Sequence, residues 1–440
     1  MKIPKERLIA AIVAGCLFLL CALQAIQIGF LQKENKQFQK KIEDLEVRIV
    51  SVNDLTNQVK ERVSPEEFLE LYLPKDIFVA SGITLELYND EICFGINPED
   101  YIFYWSSDIG DCMEDKFHYG ANDKDSGEHE LSVAVYDYQK RLVGKATTTL
   151  HVIQNQFQKD HTGKVRVLTI GDSFTSNLVW ARYVRELSKN KIAHVGTLGS
   201  EPGLMHEGRM GFSAMNYLEG TPYDIDRKKV FTNPKTGEFD WEYYLKTSKV
   251  KPDIVQVFLG ANGMSIDPTT NSDSIVEIVK RIREADPQIP IMVVQTTYPA
   301  DQNGMARQQN VMGFQAFHGM WSFERCEMTF RLMVALDQKL EGMDNVYLVP
   351  AAISFDRQNG FAQELISVNP HSGDKMRVSA ESIHPSEGGA KQIGDTIYSV
   401  LCQIIEDTNI GVKKSLSSNS VSASGNSVTP ENSVEGKKSE

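Results

Sequence analysis

From residue 158 onward the chain alternates short apolar runs with longer helical stretches, and this alternation leaves few folds open. VRVLTI (165–170), IAHVGTL (192–198), IVQVFLG (254–260), IPIMVVQTT (289–297) and VYLVPAA (346–352) read as five strands. Helical stretches run from Ser173 to about Lys189, over Ser274–Ala285, over Phe323–Leu340 and from Glu387 to about Asp407. Strands this continuously apolar are buried on both faces, and the helices between them call for a parallel sheet covered on each side. In such sheets the ligand sits beyond the carboxyl ends of the strands. The polar punctuation falls there: Ser173 after the first run, Gly208–Ser213 beyond the second, Asn262 after the third and His384 after the fifth.

These residue types suit one chemistry. A serine is a poor nucleophile until a base takes its proton. Gly171-Asp172-Ser173, between a strand and a helix, exposes Ser173 Oγ at a helix start, where developing negative charge is favoured. Of the nine histidines, His384 begins the last helix and carries Glu381 three residues before it. That carboxylate is placed to hold the imidazole Nδ1–H and set its tautomer. A second reading, an exposed helix-start carboxylate, stays open. Acyl transfer also needs donors aimed at an oxyanion, and the Ser173 N–H, the Gly211 N–H and the Asn262 amide would supply three.

With these residues in place, residues 165–405 resemble the SGNH hydrolase superfamily, the GDSL-type esterases and lipases. Four blocks occur in order: IGDSFT with Ser173, HEGRMGFS (206–213) with Gly211 at the oxyanion glycine, GANG (260–263) with Asn262, and ESIHP with His384. Two positions depart from the pattern. Gly263 replaces the Asp of G-x-N-D, and Glu381 replaces the Asp of D-x-x-H. The resemblance implies a three-layer α/β/α, flavodoxin-like parallel sheet over 158–410 and a serine ester hydrolase working without a cofactor. Arg209 either contacts substrate or braces its loop, and His318 and Trp321 either line the cleft or simply pack. His206-Glu207 begins an H-E-x-x-H zinc motif, but position 210 is Met, so no metal is expected.

Residues 64–157 have a different pattern. ITLELY, YIFYWSS, ELSVAVYD and ATTTLHVI alternate or concentrate β-branched and aromatic residues between Gly, Asn and Asp. They predict an immunoglobulin-like β-sandwich with Trp105 in its core. Its role is a spacer or a glycan- or partner-binding module. Cys93 and Cys112 are either a disulfide or two buried thiols, and Cys326 and Cys402 sit on apolar helical faces.

At the amino end, residues 1–7 form a short head with three Lys/Arg. Leu8–Leu31 then holds no charge and is long enough to cross a ~30 Å hydrocarbon core. It predicts an uncleaved transmembrane signal anchor with the head inside and the bulk of the chain exported. Val13-Ala14-Gly15-Cys16 also resembles a lipobox, which would make Cys16 a lipidated terminus. Residues 31–63 repeat apolar side chains every seven, from Leu31, Phe38, Leu45, Val52 and Val59 to the offset series through Ile42, Ile49 and Val63. That spacing, with polar Asn35 and Thr56 in the second series as register devices, predicts a coiled-coil stalk able to join copies of the chain; the alternative is a single amphipathic helix lying on its own protein. Residues 411–440 form a disordered tail, with nine serines in 413–440.

With 59 Asp+Glu against 46 Lys+Arg, net charge −13, a nucleic-acid partner is not expected. The function that the SGNH resemblance implies is removal of small acyl groups, acetyl foremost, from carbohydrate esters, and the expected anchor places it at the cell surface. The rivals are an O-acyltransferase using the same serine, an inactive surface-binding or scaffold protein, and a lipid or thioester hydrolase.

Overall fold

A computed structural model describes residues 68–159, 162–219, 230–263, 267–300 and 322–412. The head, the membrane span at 8–31, the stalk at 31–63, the tail beyond 412, Cys16, His318 and Trp321 lie outside the described residues. Among the described residues, no helix is long and apolar enough to cross a membrane.

The chain first builds nine short strands: β1 (Glu70–Leu71), β2 (Asp76–Ala80), β3 (Thr84–Tyr88), β4 (Cys93–Phe94), β5 (Ile102–Ser106), β6 (Asp111–Cys112), β7 (Lys116–Gly120), β8 (Gly127–Tyr136) and β9 (Leu142–Ile153). They form a four-stranded sheet, β2-β9-β8-β5, and a three-stranded one, β3-β7-β6, with β1 pairing β4. Alternation does the sorting. In β5, Phe103 and Trp105 are buried while Ile102 and Tyr104 face out. Trp105 meets Phe117 of the other sheet at 5.8 Å between ring centroids, and its Nε1–H donates to Asn89 Oδ1 (2.9 Å). Cys93 is buried, Cys112 is exposed, and neither is in a disulfide.

The second half contains β10 (Val165–Gly171), α1 (Ser173–Ser176), α2 (Val179–Leu187), β11 (Ile192–Val195), β12 (Glu207–Gly208), α3 (Ala214–Leu218), α4 (Trp241–Ser248), β13 (Ile254–Phe258), α5 (Pro268–Ala285), β14 (Ile291–Val294), α6 (Ser322–Leu340), β15 (Val346–Val349), β16 (Gln363–Ser367), β17 (Lys375–Ser379) and α7 (Glu387–Thr408). The main sheet has the order β11-β10-β13-β14-β15, all parallel, and β12 pairs with the end of β10. This is the 2-1-3-4-5 order of a flavodoxin-like sheet. Both faces are covered. Val165 and Val167 of β10 join one core with Trp180 of α2 and Ile397 of α7. Leu168 and Ile170 join another with Trp241, Ile275 and Leu336, from α4, α5 and α6.

The strand module is not set apart by a linker near 157. The described residues between Leu69 and Val412 belong to one compact unit, and the α7 side of the parallel sheet shares a single apolar core with β2, β3, β5, β7, β8 and β9. Polar contacts cross the same boundary. The Ala80 N–H donates to Ser399 Oγ (3.1 Å), Tyr398 Oη–H to Asn155 Oδ1 (2.7 Å) and Gln295 Nε2–H to Tyr72 Oη (2.9 Å). Isolated short-stranded sheets are weak in water, and docking onto α7 covers apolar surface that β2 and β3 would otherwise expose.

Candidate active site

Ser173 stands where β10 turns into α1. Gly171 has no room for a side chain: a Cβ there would lie 2.0 Å from Thr175 Oγ1 and 2.8 Å from the Phe258 carbonyl. Asp172 caps the turn, its Oδ1 accepting the Phe174 N–H at 2.9 Å. The helix expected from Ser173 to Lys189 is broken. Leu178 takes a left-handed conformation (φ 61°), so α1 is a single turn and α2 a separate helix. The helix start at Ser173 is thus that of a single turn, whose Phe174 N–H is already taken by Asp172.

His384 reaches Ser173 from the loop that precedes α7. Its Nε2 lies 2.9 Å from Ser173 Oγ, a hydrogen-bond distance, and both side chains are half-buried. Phe174 packs beside the imidazole at 5.8 Å between centroids. The histidine loop is fixed at its ends by the 360–362 backbone. The Ser386 N–H donates to the Gly360 carbonyl and the Ala380 N–H to the Ala362 carbonyl, each at 2.8 Å. Ser386 then caps α7 by accepting the Gly389 N–H.

Glu381 is near His384 without gripping it. Its Oε1 is 3.8 Å from His384 Nδ1, an ion-pair distance longer than a hydrogen bond. The same oxygen accepts the N–H groups of Ile383 (2.8 Å) and His384 (3.2 Å). Partial burial pushes this carboxyl up, but the imidazole and the two backbone donors outweigh it, and the net shift is downward. Glu381 therefore presents a negative charge while shaping the turn that delivers the histidine.

Asn262 and Gly211 lie at the open side of the site, both exposed. Asn262 Nδ2–H donates to Asp172 Oδ2 (3.1 Å) and to the Phe212 carbonyl (3.2 Å). Its amide hydrogens are therefore engaged, and one must leave its partner to meet an oxyanion. The bond to Phe212 draws the 209–213 loop to the serine, and Gly211 in that loop holds a positive φ of 78°. Asp172 is buried, which raises its carboxyl to about 7, against the opposing pull of the Phe174 N–H, His384 and Arg325.

Arg209 braces its loop and is withdrawn from substrate. It is 4% exposed and pairs with fully buried Glu207 at 3.0 Å. Glu207 also accepts the Thr197 N–H (2.6 Å) and Tyr244 Oη–H (2.8 Å), while Tyr217 Oη–H donates to the Gly171 carbonyl (2.7 Å). This network ties β12 and α3 to the nucleophile turn. Its signal was readable, since Glu207 and Arg209 at i, i+2 on an extended segment share a side. Arg325, buried on α6 and donating to the Ala261 carbonyl behind Asn262, carried no such signal. Among the described residues, no group of three or more His, Cys, Asp or Glu converges to hold a metal.

No protein-family model matches the chain, and no curated protein does. Among solved structures, it is similar to a carbohydrate esterase family 3 protein from Talaromyces cellulolyticus, with 18% identity over 55% of this chain and 99% of that one and a TM-score of 0.34. It is similar to the Clostridium thermocellum family 3 carbohydrate esterase, with 16% identity over 56% and 99% of the two chains and a TM-score of 0.35. A third is AlinE4, an SGNH-hydrolase family esterase, with 14% identity over 42% and 76% and a TM-score of 0.25.

Proposed function

We propose that this chain is a serine esterase of the SGNH type that removes small acyl groups, acetyl foremost, from carbohydrate esters at the cell surface. The observation that carries the reading is the 2.9 Å approach of His384 Nε2 to Ser173 Oγ across 211 residues of sequence. His384 takes the Ser173 proton as the oxygen attacks the ester carbonyl, and the Glu381 charge stabilises the imidazolium so formed. The oxyanion is met by the Ser173 and Gly211 N–H groups and by the Asn262 amide as it turns from Phe212. His384 then protonates the leaving sugar oxygen. Water, activated by the same imidazole, releases the acid from Ser173.

The membrane anchor at 8–31, the stalk at 31–63 as a route to homo-oligomers, the export of the catalytic part and the immunoglobulin-like reading of 64–157 belong to the same proposal. They rest on the sequence pattern. The choice of a carbohydrate ester rests on the four-block resemblance, and an acyltransferase would share every step up to the acyl-enzyme. The test is to incubate the full chain with acetylated polysaccharide and, separately, with an aryl acetate plus an unacetylated glycan. Acetate release from the first supports the esterase. Acetyl moved onto the added glycan supports the transferase, and no turnover of either ester supports an inactive scaffold.

A further inference from the structure

The turn carrying Asn262 is held from outside itself. Ala261–Gly263 is a single helical turn, and a Cβ built on Gly263 would fall 2.1 Å from Asn271 Oδ1 and 2.4 Å from its Cγ. The Gly263 backbone lies outside the left-handed region, so this glycine is required for space and not for its dihedral freedom. Asn271, in the first turn of α5, is 2% exposed and already fills the volume. Its Nδ2–H donates to the Gly260 carbonyl at 3.0 Å, and the Gly263 N–H reaches the same oxygen at 3.3 Å. The next carbonyl, of Ala261, is taken by Arg325. Both carbonyls before Asn262 are thus captured by buried side chains from two different helices, while the Asn262 amide itself stays exposed. Buried donors of this kind rigidify the segment they bind, because leaving a carbonyl unpaired is costly.

We infer that Asn271 is a positioning residue for the oxyanion turn. It occupies the place of the side chain missing at 263 and supplies from α5 the hydrogen bond that fixes where Asn262 sits. GANG is then a two-site exchange, glycine at 263 with asparagine at 271. This rests on the reading of Asn262 as an oxyanion donor. An amide misplaced by a fraction of an ångström loses its hold on the transition state more than on the substrate.

The test uses the full chain and p-nitrophenyl acetate. Asn271→Ala should lower kcat by ~10–100-fold with KM within about twofold. Gly263→Asp alone should lower kcat at least ~tenfold further than Asn271→Ala, by driving a carboxylate into Asn271. Gly263→Asp combined with Asn271→Ala should recover at least ~tenfold over Gly263→Asp, because the new side chain enters the vacated space. If Asn271→Ala does not fold, Asn271→Asp is read instead; it keeps the size, lacks the donor to Gly260 and should show the same kcat loss. Parental kcat in the readable Asn271 variant, or a double variant no better than Gly263→Asp, would overturn the inference. Asn262→Ala runs beside them. If it is impaired while the Asn271 variant is not, only this inference fails. Parental kcat in Asn262→Ala removes the oxyanion reading and the inference together.

Discussion

Glu381 sits where an esterase of this type needs an acid, yet its carboxylate stands 3.8 Å from His384 Nδ1 and gives its hydrogen-bonding capacity to two backbone N–H groups. The structure therefore assigns it a charge effect and a turn-shaping effect, which substitution separates. Glu381→Gln removes the charge and keeps an oxygen able to accept from Ile383 and His384. Two unit charges at this spacing interact by about 1 kcal/mol in bulk water and about 4 kcal/mol at an effective dielectric of 20. The side chains of His384 and Glu381 are 33% and 29% exposed, so solvent screens the pair and the lower part of that range applies. A loss of about 1–2 kcal/mol in the transition state lowers kcat by ~5–30-fold. Thermal stability should fall only slightly, because the turn keeps an acceptor but loses the charge that His384 and the two N–H groups favour. Glu381→Asp, which keeps the charge and still accepts within the turn, should lie closer to the parent than Glu381→Gln. Glu381→Ala should lose both effects and unfold at lower temperature. The assay is kcat/KM on a small acetyl ester near neutral pH, with a melting curve for each variant. A loss beyond ~10³-fold in Glu381→Gln would mean a direct hydrogen bond to Nδ1 in the reacting state. Parental activity would mean the charge does nothing. Neither result is compatible with a screened charge at 3.8 Å.

Arg209→Ala should destabilise the fold by about 3–5 kcal/mol, because Glu207 is left charged, buried and without its cation; chemical denaturation measures this, and a surface-like change of under 0.5 kcal/mol would show that the pair is not closed in solution. Asp172 carries a pH signature. Its carboxyl is raised from 3.8 to about 7, so the stability of its protonated form is fully present below about pH 4 and lost as pH rises through about 7. Across that window the loss is on the order of 4 kcal/mol. Asp172→Asn should gain on the parent as pH rises over the same range, and parallel stability curves would contradict the shift. Truncating the shared apolar core in β2, by Ile77→Ala, should lower the stability of the unit that holds both the strand module and the parallel sheet by about 2–5 kcal/mol in one transition; two separate melts would show that the strand module folds apart from the sheet.

The sheet was legible because its strands are buried on both faces. A run such as IVQVF admits few environments other than the middle of a parallel sheet; the observed β11, β13, β14 and β15 fall within the runs read from the pattern, and β10 passes the end of its run by one residue, Gly171. Ser173, Asn262 and His384 were legible as polar residues at the ends of those runs. What escaped depends on contacts without local period. The break at Leu178 places a leucine in the left-handed region, which no residue preference announces. The β16–β17 hairpin, exposed over most of its length, lacks the apolar alternation that marks a half-buried strand. The docking of the strand module on α7 joins residues as far apart as Ala80 and Ser399, and nothing near either one signals the other. Gly263 read as a missing aspartate in sequence. Only the position of Asn271 against it shows that the space is filled.

In the proposed reaction Ser173 itself carries the acyl group. The most direct measurement is to quench the full chain with acid during turnover of p-nitrophenyl acetate and locate the acetyl group by peptide mass spectrometry. The geometry predicts acetyl on the peptide holding Ser173, at that residue, and neither acetylation nor turnover in Ser173→Ala. Acetyl found on another side chain, or parental turnover in Ser173→Ala, would contradict it.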